Sequence, residues 1–250
     1  MNLDGFALPV KKLKGTDPVE TLDLSRKSLG VASAVVIASL IGVNGALTSV
    51  ELRGNELGDE GWGAIFAAIC GNKDSKIMCL DASSETIGPA GVKLIAEALR
   101  TSVTGGLTSI DVRQNNIAGN GAVQLAAAVL GNLKIEIFNK IPIKEMRANS
   151  LTELDLKGKY VGVEGGMVVA GLIPVMGALT VTNLLGNQLD AESAKMLAEV
   201  AKQKGISLCG IRRDQTTADF RDKDLKPPDA ILLASDLSQA VVTGALTKIE

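Results

Sequence analysis

The sequence contains no histidine, which excludes histidine general bases, Ser–His–Asp triads and histidine-containing zinc sites. Aromatic residues are also scarce: the 250 residues include one tryptophan, one tyrosine and four phenylalanines. Aliphatic side chains must therefore form the core, and the chain has 32 leucines. Lysine and arginine total 26 against 28 aspartates and glutamates. The net charge of −2 lacks the basic excess that favours nucleic acid, so we expect no nucleic-acid partner.

Cysteine is nearly absent too, with Cys70, Cys79 and Cys209 as the only three. An odd number without a CxxC pair does not indicate a disulfide framework, so we expect free thiols in a reducing compartment. Cys209 occupies an apolar repeat position and is predicted to be a small core residue. The first 14 residues have no apolar signal core. The sequence therefore predicts an intracellular protein, with the cytoplasm as the expected compartment.

Two uncharged stretches, residues 28–50 and 165–189, are long enough to cross a bilayer. Neither stretch is a continuous apolar run, because the first is interrupted by glycines and Asn44, and the second by glycines, Pro174, Asn183 and Asn187. Both fit a helix, a turn and a strand, and we predict no membrane insertion.

The dominant feature is an internal repeat. The pattern apolar-x-x-apolar-x-apolar begins at Val19, Leu47, Ile77, Leu107, Leu151, Leu179 and Ile206, and once more at Leu246. After most of these strands comes a glycine and a helical pattern, as in GWGAIFAAI from Gly61 and GVKLIAEAL from Gly91. Each unit is thus one short strand and one helix that can bury their apolar faces only against neighbouring units. This predicts strands near 20–24, 48–52, 78–82, 108–112, 152–156 and 180–184. Helices are predicted near 32–43, 61–71, 90–101, 120–131, 164–175, 191–203 and 228–238.

The repeats resemble the leucine-rich repeat family, in its ribonuclease-inhibitor-like class. In LTSVELRGNEL, Leu47, Val50, Leu52, Asn55 and Leu57 meet the family's LxxLxLxxNxL, and Asn115 and Asn187 match Asn55 in other repeats. The resemblance implies an α/β fold: a leucine-rich repeat solenoid (horseshoe) with parallel strands on the concave face and helices on the convex face. It also implies that the asparagine caps loop backbone groups. Where Lys27, Glu85, Lys159 or Asp214 replaces it, we expect looser turns.

We assign residues 1–18 to an N-terminal strand and loop cap, and residues 19–250 to the solenoid, open at its C-terminal end. Because the last repeat stops at Glu250 without a helix, we expect either a fragment or an edge that docks on a neighbour.

A longer period is superimposed on the short one. Residues 22–41 match residues 154–173 at 10 of 20 positions, an offset of 132, which indicates duplication of a block of repeats. Two segments interrupt the short period, residues 139–150 and 212–224. Each fits a strand and loop without a convex helix, or a plain loop insertion, and irregular loops on a rigid scaffold often carry specificity.

Numbered from the first apolar residue of each repeat, positions 3, 5 and 7 point to the exposed, concave face. Positions 5 and 7 supply the candidate partner-binding residues: Asp23, Glu51, Arg53, Asp81, Asp111, Arg113, Asp155, Lys157 and Arg212. They form either a mutually neutralised, solvated surface or a zwitterionic docking strip. Since these side chains leave the core, we expect charge reversal at Asp81 and Asp111 to leave stability nearly unchanged.

No Walker A, GxGxxG, HExxH or EF-hand motif occurs, and we predict no catalytic residues, metal or cofactor. The resemblance implies a non-enzymatic scaffold that binds a protein partner through the concave face or the irregular loops. Two alternatives stay open: a GTPase-activating regulator like the leucine-rich repeat activator of Ran, and a structural subunit of a large assembly.

Overall fold

A computed structural model describes residues 1–103 and 106–250 of the chain. The described residues fall into two compact units, Met1–Phe138 (unit 1) and Asn139–Glu250 (unit 2).

Unit 1 begins with an antiparallel hairpin and a short helix and continues as alternating strands and helices. Its elements are β1 (Asn2–Leu3), β2 (Phe6–Ala7), α1 (Val10–Lys14), β3 (Thr21–Asp23), α2 (Val31–Ile41), β4 (Ser49–Glu51), α3 (Gly58–Cys70), β5 (Cys79–Asp81), α4 (Pro89–Arg100), β6 (Ser109–Asp111), α5 (Gly119–Gly131) and β7 (Ile137–Phe138). All strands and helices that the sequence predicts in this range are present.

Strands β3 to β7 pair in chain order as a parallel sheet without a shift in register, so Leu22, Val50, Leu80 and Ile110 lie side by side. These residues are buried, and successive helices α2, α3, α4 and α5 pack on one another. Each repeat therefore buries its strand and helix between its two neighbours, as the sequence period predicts.

Asparagine side chains join consecutive loops. Oδ1 of Asn55 accepts hydrogen bonds from the backbone N–H groups of Lys27 and Leu29 in the preceding repeat, while Nδ2 donates to the carbonyls of Leu24 and Leu52. Asn115 makes the equivalent bonds to Glu85, Ile87, Ala82 and Val112. The amide, with an acceptor and two donors, therefore satisfies loop groups of both repeats.

The expectation of a looser turn at Glu85 is wrong. Its carboxylate is fully buried and takes the place of the asparagine oxygen, accepting the backbone N–H of Asn55 at 2.6 Å. Its second oxygen accepts the indole N–H of Trp62 at 3.1 Å. Burial raises the pKa of Glu85, and these hydrogen bonds oppose that rise.

Unit 2 has the elements β8 (Ile141–Pro142), α6 (Ile143–Arg147), β9 (Glu153–Asp155), α7 (Gly162–Leu172), a 3₁₀ helix (Ile173–Val175), β10 (Val181–Asn183), α8 (Ala191–Lys204), β11 (Thr217–Ala218), α9 (Pro227–Leu237), α10 (Ala240–Thr243) and β12 (Lys248–Ile249). Strand β9 pairs with β10, and β11 pairs with β12, both in parallel. The predicted strands and helices of this range are present, with the end of the predicted helix 164–175 in 3₁₀ form around Pro174.

The structure supports the predicted duplication. Strands β3 and β9 are 132 residues apart, and so are β4 and β10. A five-residue helix that follows a proline lies before β3 (α1) and before β9 (α6). Helix α1 buries Leu13 fully, and helix α6 buries Ile143 and Met146 fully. Units 1 and 2 therefore start from the same arrangement.

The two irregular segments differ from each other. Residues 139–150 contain the predicted strand, β8, but the five-residue helix α6 stands where a loop without a convex helix was predicted. Buried Ile143 and Met146, three residues apart, give this single turn an apolar side that the strand pattern did not reveal. Residues 212–224 contain the strand β11 and no helix, in agreement with a helix-less repeat.

Candidate protein-binding face

The exposed side of the unit 1 sheet carries a row of carboxylates at position 5. In register these are Asp23 beside Glu51, Glu51 beside Asp81, and Asp81 beside Asp111. Neighbouring strands lie about 4.8 Å apart, so four acidic side chains stand next to one another. The two halves of the row differ in exposure: Asp23 and Glu51 are exposed, whereas Asp81 and Asp111 are half-buried.

Hydrogen bonds to the following residues hold these aspartates in place. Oδ1 of Asp23 accepts the backbone N–H of Ser25 at 2.8 Å and its hydroxyl at 2.6 Å. Asp81 makes the same pair of bonds to Ser83, at 2.9 and 2.6 Å. The carboxylates therefore cap the chain where each strand ends. The expectation that charge reversal at Asp81 and Asp111 leaves stability unchanged is not supported, because lysine cannot accept these bonds.

Arginine side chains at position 7 offset part of the acidic charge. Arg113 donates to both carboxylate oxygens of Asp111, with Nε–Oδ1 and Nη2–Oδ2 distances of 2.8 Å. This bond, followed by the charges of Asp111 and Asp81, raises the pKa of Arg113. At the other end of the row, hydrogen bonds from Ser25 lower the pKa of Asp23, and the charges of Lys27 and Arg53 lower it further.

Uncharged residues at position 3 lie beside the carboxylate row: Thr21, Ser49, Cys79 and Ser109, paired in register. Cys79 is exposed, whereas Cys70 and Cys209 are buried, as predicted for Cys209. An exposed thiol is thus available near the middle of the face.

In unit 2 the structure places the remaining predicted residues. Asp155 and Lys157 are exposed, and Oδ1 of Asp155 accepts the backbone N–H of Lys157 at 3.0 Å. Arg212 donates to both carboxylate oxygens of Glu153, at 2.9 and 2.7 Å. That pairing lowers the pKa of Glu153 and raises the pKa of Arg212.

The assignment of Arg212 to position 7 is wrong. Val181, at position 3 of its strand, forms a bridge with Ser207, and Asn183 forms one with Cys209. The repeat that starts at Ile206 is therefore shifted by one residue, and the chain leaves the sheet at Gly210, whose φ is +80°. Arg212 lies beyond that turn, and its side chain reaches Glu153 two strands away instead of continuing the position-7 column.

Sequence reasoning missed two contributors to this chemistry. Glu153 stands at position 3, which was not assigned a role, and its partner Arg212 is 59 residues away. The capping role of Asp23 and Asp81 also went unrecognised, although the shared Asp-x-Ser spacing is typical of side-chain-capped turns.

Across residues 1–103 and 106–250, no group of three or more Cys, Asp or Glu side chains has the arrangement of a metal site. In the same described ranges, no helix combines the length and apolar character needed to span a bilayer.

Comparison with known proteins agrees with this geometry. The sequence model of a family described as "Leucine Rich repeat" matches residues 46–66 and 107–126. A typical repeat consists of a strand, a loop capped by an asparagine and a helix, and the strands of successive repeats pair in parallel. This arrangement is that of a solenoid repeat protein. The two matched segments and the alternating parallel strands and helices confirm the predicted α/β leucine-rich repeat fold class, and the repeats are similar to those of the ribonuclease-inhibitor-like class.

Solved structures with a similar fold include leiomodin-1 actin-binding site 2, at 19% identity and a TM-score of 0.46, covering 52% of this chain and 75% of that one. The tropomodulin C-terminal domain from Caenorhabditis elegans has 14% identity and a TM-score of 0.43, covering 52% and 78%. The leucine-rich repeat protein LegL7 from Legionella pneumophila has 17% identity and a TM-score of 0.35, covering 99% and 88%. No curated protein matches the sequence significantly. No partner follows from these likenesses.

Proposed function

We propose that the protein is a non-enzymatic interaction scaffold that binds a protein partner through the strand face of unit 1. The observation that carries this proposal is the row of Asp23, Glu51, Asp81 and Asp111 in register on adjacent strands, flanked by Arg53 and Arg113. Leucine-rich repeat solenoids present extended surfaces of this kind to their partners.

The order of these side chains supports a docking strip over a merely solvated surface. Hydrogen bonds already fix Asp23, Asp81 and the Asp111–Arg113 pair, so a partner that meets them orders few further rotamers. Charges of both signs at fixed positions select a partner with the complementary arrangement and speed its association.

Asp155 and Lys157 extend the proposal to the strand face of unit 2, where both are exposed. The partner is a protein, and we propose neither a nucleic acid nor a cofactor, in line with the net charge of −2. We also propose that the protein works in a reducing compartment, since its three cysteines are free thiols.

Residues 1–18 are proposed to cap the first repeat of the solenoid. Leu8 and Leu13 are buried, α1 packs on α2, and Oδ2 of Asp4 accepts the backbone N–H of Gly30 and the hydroxyl of Ser33 where α2 begins. A terminal unit of this kind covers apolar surface that the next repeat would otherwise bury.

The exposed thiol of Cys79 permits a direct test. The purified protein is labelled at Cys79 with a photo-crosslinker, incubated with cell extract and irradiated. The control is Cys79→Ser with Ala127→Cys, which moves the crosslinker to an exposed position on helix α5. The proposal predicts a discrete protein adduct from Cys79 that excess unlabelled protein suppresses and that the control does not form.

The same adduct from both positions, or none from Cys79, would contradict binding at this face. A stable complex that co-purifies without an adduct at Cys79 would instead support the structural-subunit alternative, with packing through other surfaces.

A further inference from the structure

The duplicated strands β4 and β10 differ in what their exposed side carries. At positions 3 and 7 of the repeat that contains β4, Ser49 is half-buried and Arg53 is exposed. Their equivalents 132 residues later are Val181 and Leu185, which are only 7% and 3% exposed. These apolar residues occupy positions that point away from the core, so another part of unit 2 must cover them.

The segment that follows the sheet is placed to cover them. Glu153 lies beside Val181 on one side, and Ser207 lies beside Val181 on the other. Arg212 follows Ser207 after the turn at Gly210 and forms its two-bond ion pair with Glu153. The pair therefore joins the two sides of β10 across its outer face.

Local bonds hold this segment in shape. The backbone N–H of Gly210 donates to the carbonyl of Thr182 at 3.0 Å, and that of Gln215 donates to the carbonyl of Arg212 at 3.0 Å. The side chain of Gln215 in turn accepts the backbone N–H of Arg212 at 3.2 Å.

We propose that residues 210–213 form an intramolecular strap, fastened by Arg212 and Glu153, that covers the outer side of β10 and opens when the ion pair is weakened. The occupant of the apolar strip at Val181 and Leu185 is thus a segment of the chain itself. If the proposed function holds, the strap limits partner binding to the parts of the strand faces that it leaves uncovered. The strap itself does not depend on that function, and the experiment below tests it separately.

The Arg212–Glu153 ion pair is weak because it is accessible to solvent: the two side chains are 63% and 47% exposed. Exposed ion pairs contribute little and are screened by salt. Removing the pair should therefore raise the open fraction about two- to fivefold without unfolding the unit.

Thiol accessibility beneath the strap measures this opening. In a Cys79→Ser background, Val181→Cys places a thiol under the strap, while Cys70 and Cys209 serve as buried references. The rate of alkylation at position 181 is then followed with and without Arg212→Gln, and in low salt and about 1 M salt. The matched control is Arg221→Gln, which removes an equally exposed arginine that forms ion pairs with Asp219 and Glu250 in the same unit.

We expect Arg212→Gln and high salt each to accelerate alkylation at position 181 about two- to fivefold, with the reference thiols and the Arg221→Gln protein unchanged. Exchanging the charges, with Glu153→Arg and Arg212→Glu together, should restore the slow rate. Hydrogen exchange at the Gly210 amide gives the same readout in the chain without Val181→Cys. The proposal would be overturned if the rates of alkylation and hydrogen exchange changed with neither Arg212→Gln nor salt. It would also be overturned if Arg221→Gln raised these rates as much as Arg212→Gln does.

Discussion

The indole nitrogen of Trp62 donates a 3.1 Å hydrogen bond to Oε2 of Glu85, and both side chains are fully buried. The two residues belong to successive repeats, in which Glu85 occupies the asparagine position. One repeat further along, Val92 takes the place of Trp62 and Asn115 that of Glu85. A carboxylate accepts hydrogen bonds and donates none. The loop N–H of Asn55 binds Oε1 of Glu85, and the indole N–H of Trp62 binds Oε2.

This pairing predicts strong coupling between the two positions. Trp62→Phe should destabilise the protein by about 1–3 kcal/mol, because it leaves a buried carboxylate oxygen without its donor. Glu85→Asn restores the usual residue of the repeat and should reduce the cost of Trp62→Phe by at least about 0.5 kcal/mol. Urea unfolding of the two single variants and the double variant measures the coupling, and strictly additive costs would contradict it.

A second prediction concerns pH and Asp236 in α9. Its buried carboxylate accepts the backbone N–H groups of Leu208 and Cys209 and the hydroxyl of Ser207. Burial raises its pKa above the ordinary 3.8, against the effect of these bonds. The folded state therefore binds the proton more tightly than the unfolded state, so the stability contributed by Asp236 is full below about pH 3.8 and falls as pH rises through the raised pKa.

Asp236→Asn cannot titrate, so the difference in unfolding temperature between the wild type and this variant reports Asp236 alone. We expect the advantage of the wild type to be largest near pH 4 and to shrink toward pH 7. Thermal unfolding of both proteins across this range checks the sign, and an advantage that grows with pH would show that the hydrogen bonds outweigh burial.

A third prediction compares two glycines with left-handed backbone, Gly210 (φ +80°) and Gly158 (φ +62°). A Cβ at Gly210 would lie 2.8 Å from Nδ2 of Asn183, whereas nothing lies within 4 Å of one at Gly158. Gly158→Ala should cost about 1–2 kcal/mol for its backbone conformation. Gly210→Ala should cost about 1–3 kcal/mol more, because Asn183 must also move. Equal losses in chemical denaturation would argue against a tight turn at Gly210.

The sequence period is sufficient to predict the strands and helices, because each repeat meets the same neighbours and repeats the same apolar positions. It fails where a repeat depends on a single distant partner. The turn at Glu85 needs a donor from Trp62, 23 residues away, and the position of Arg212 depends on the turn at Gly210.

The sequence predicts the candidate binding face about as well as it predicts the strands and helices. Alternation along a strand identifies Asp23, Glu51, Asp81 and Asp111 as outward-facing, and the register of the sheet aligns them. Alternation alone does not reveal that Val181 and Leu185 are covered, because the segment that covers them belongs to a repeat whose register is shifted.

The strand face of unit 1 is tested most directly by neutralising its carboxylates without disturbing their turns. Asp23→Asn, Glu51→Gln and Asp81→Asn together remove three negative charges, and asparagine keeps the Oδ1 acceptor that Ser25 and Ser83 require. Glu60→Gln, Glu97→Gln and Glu199→Gln together remove three negative charges from exposed positions on helices α3, α4 and α8 and serve as the matched helix control.

The measurement is the Kd of the partner captured through Cys79, for the wild type, the triple variant and the helix control, at low and high salt. The account predicts an unchanged unfolding temperature for the triple variant and about tenfold weaker binding at low salt, with the difference in Kd disappearing at high salt. The helix control should bind like the wild type. Equal affinity of the triple variant and the wild type at every salt concentration would contradict a binding site on the strand face of unit 1.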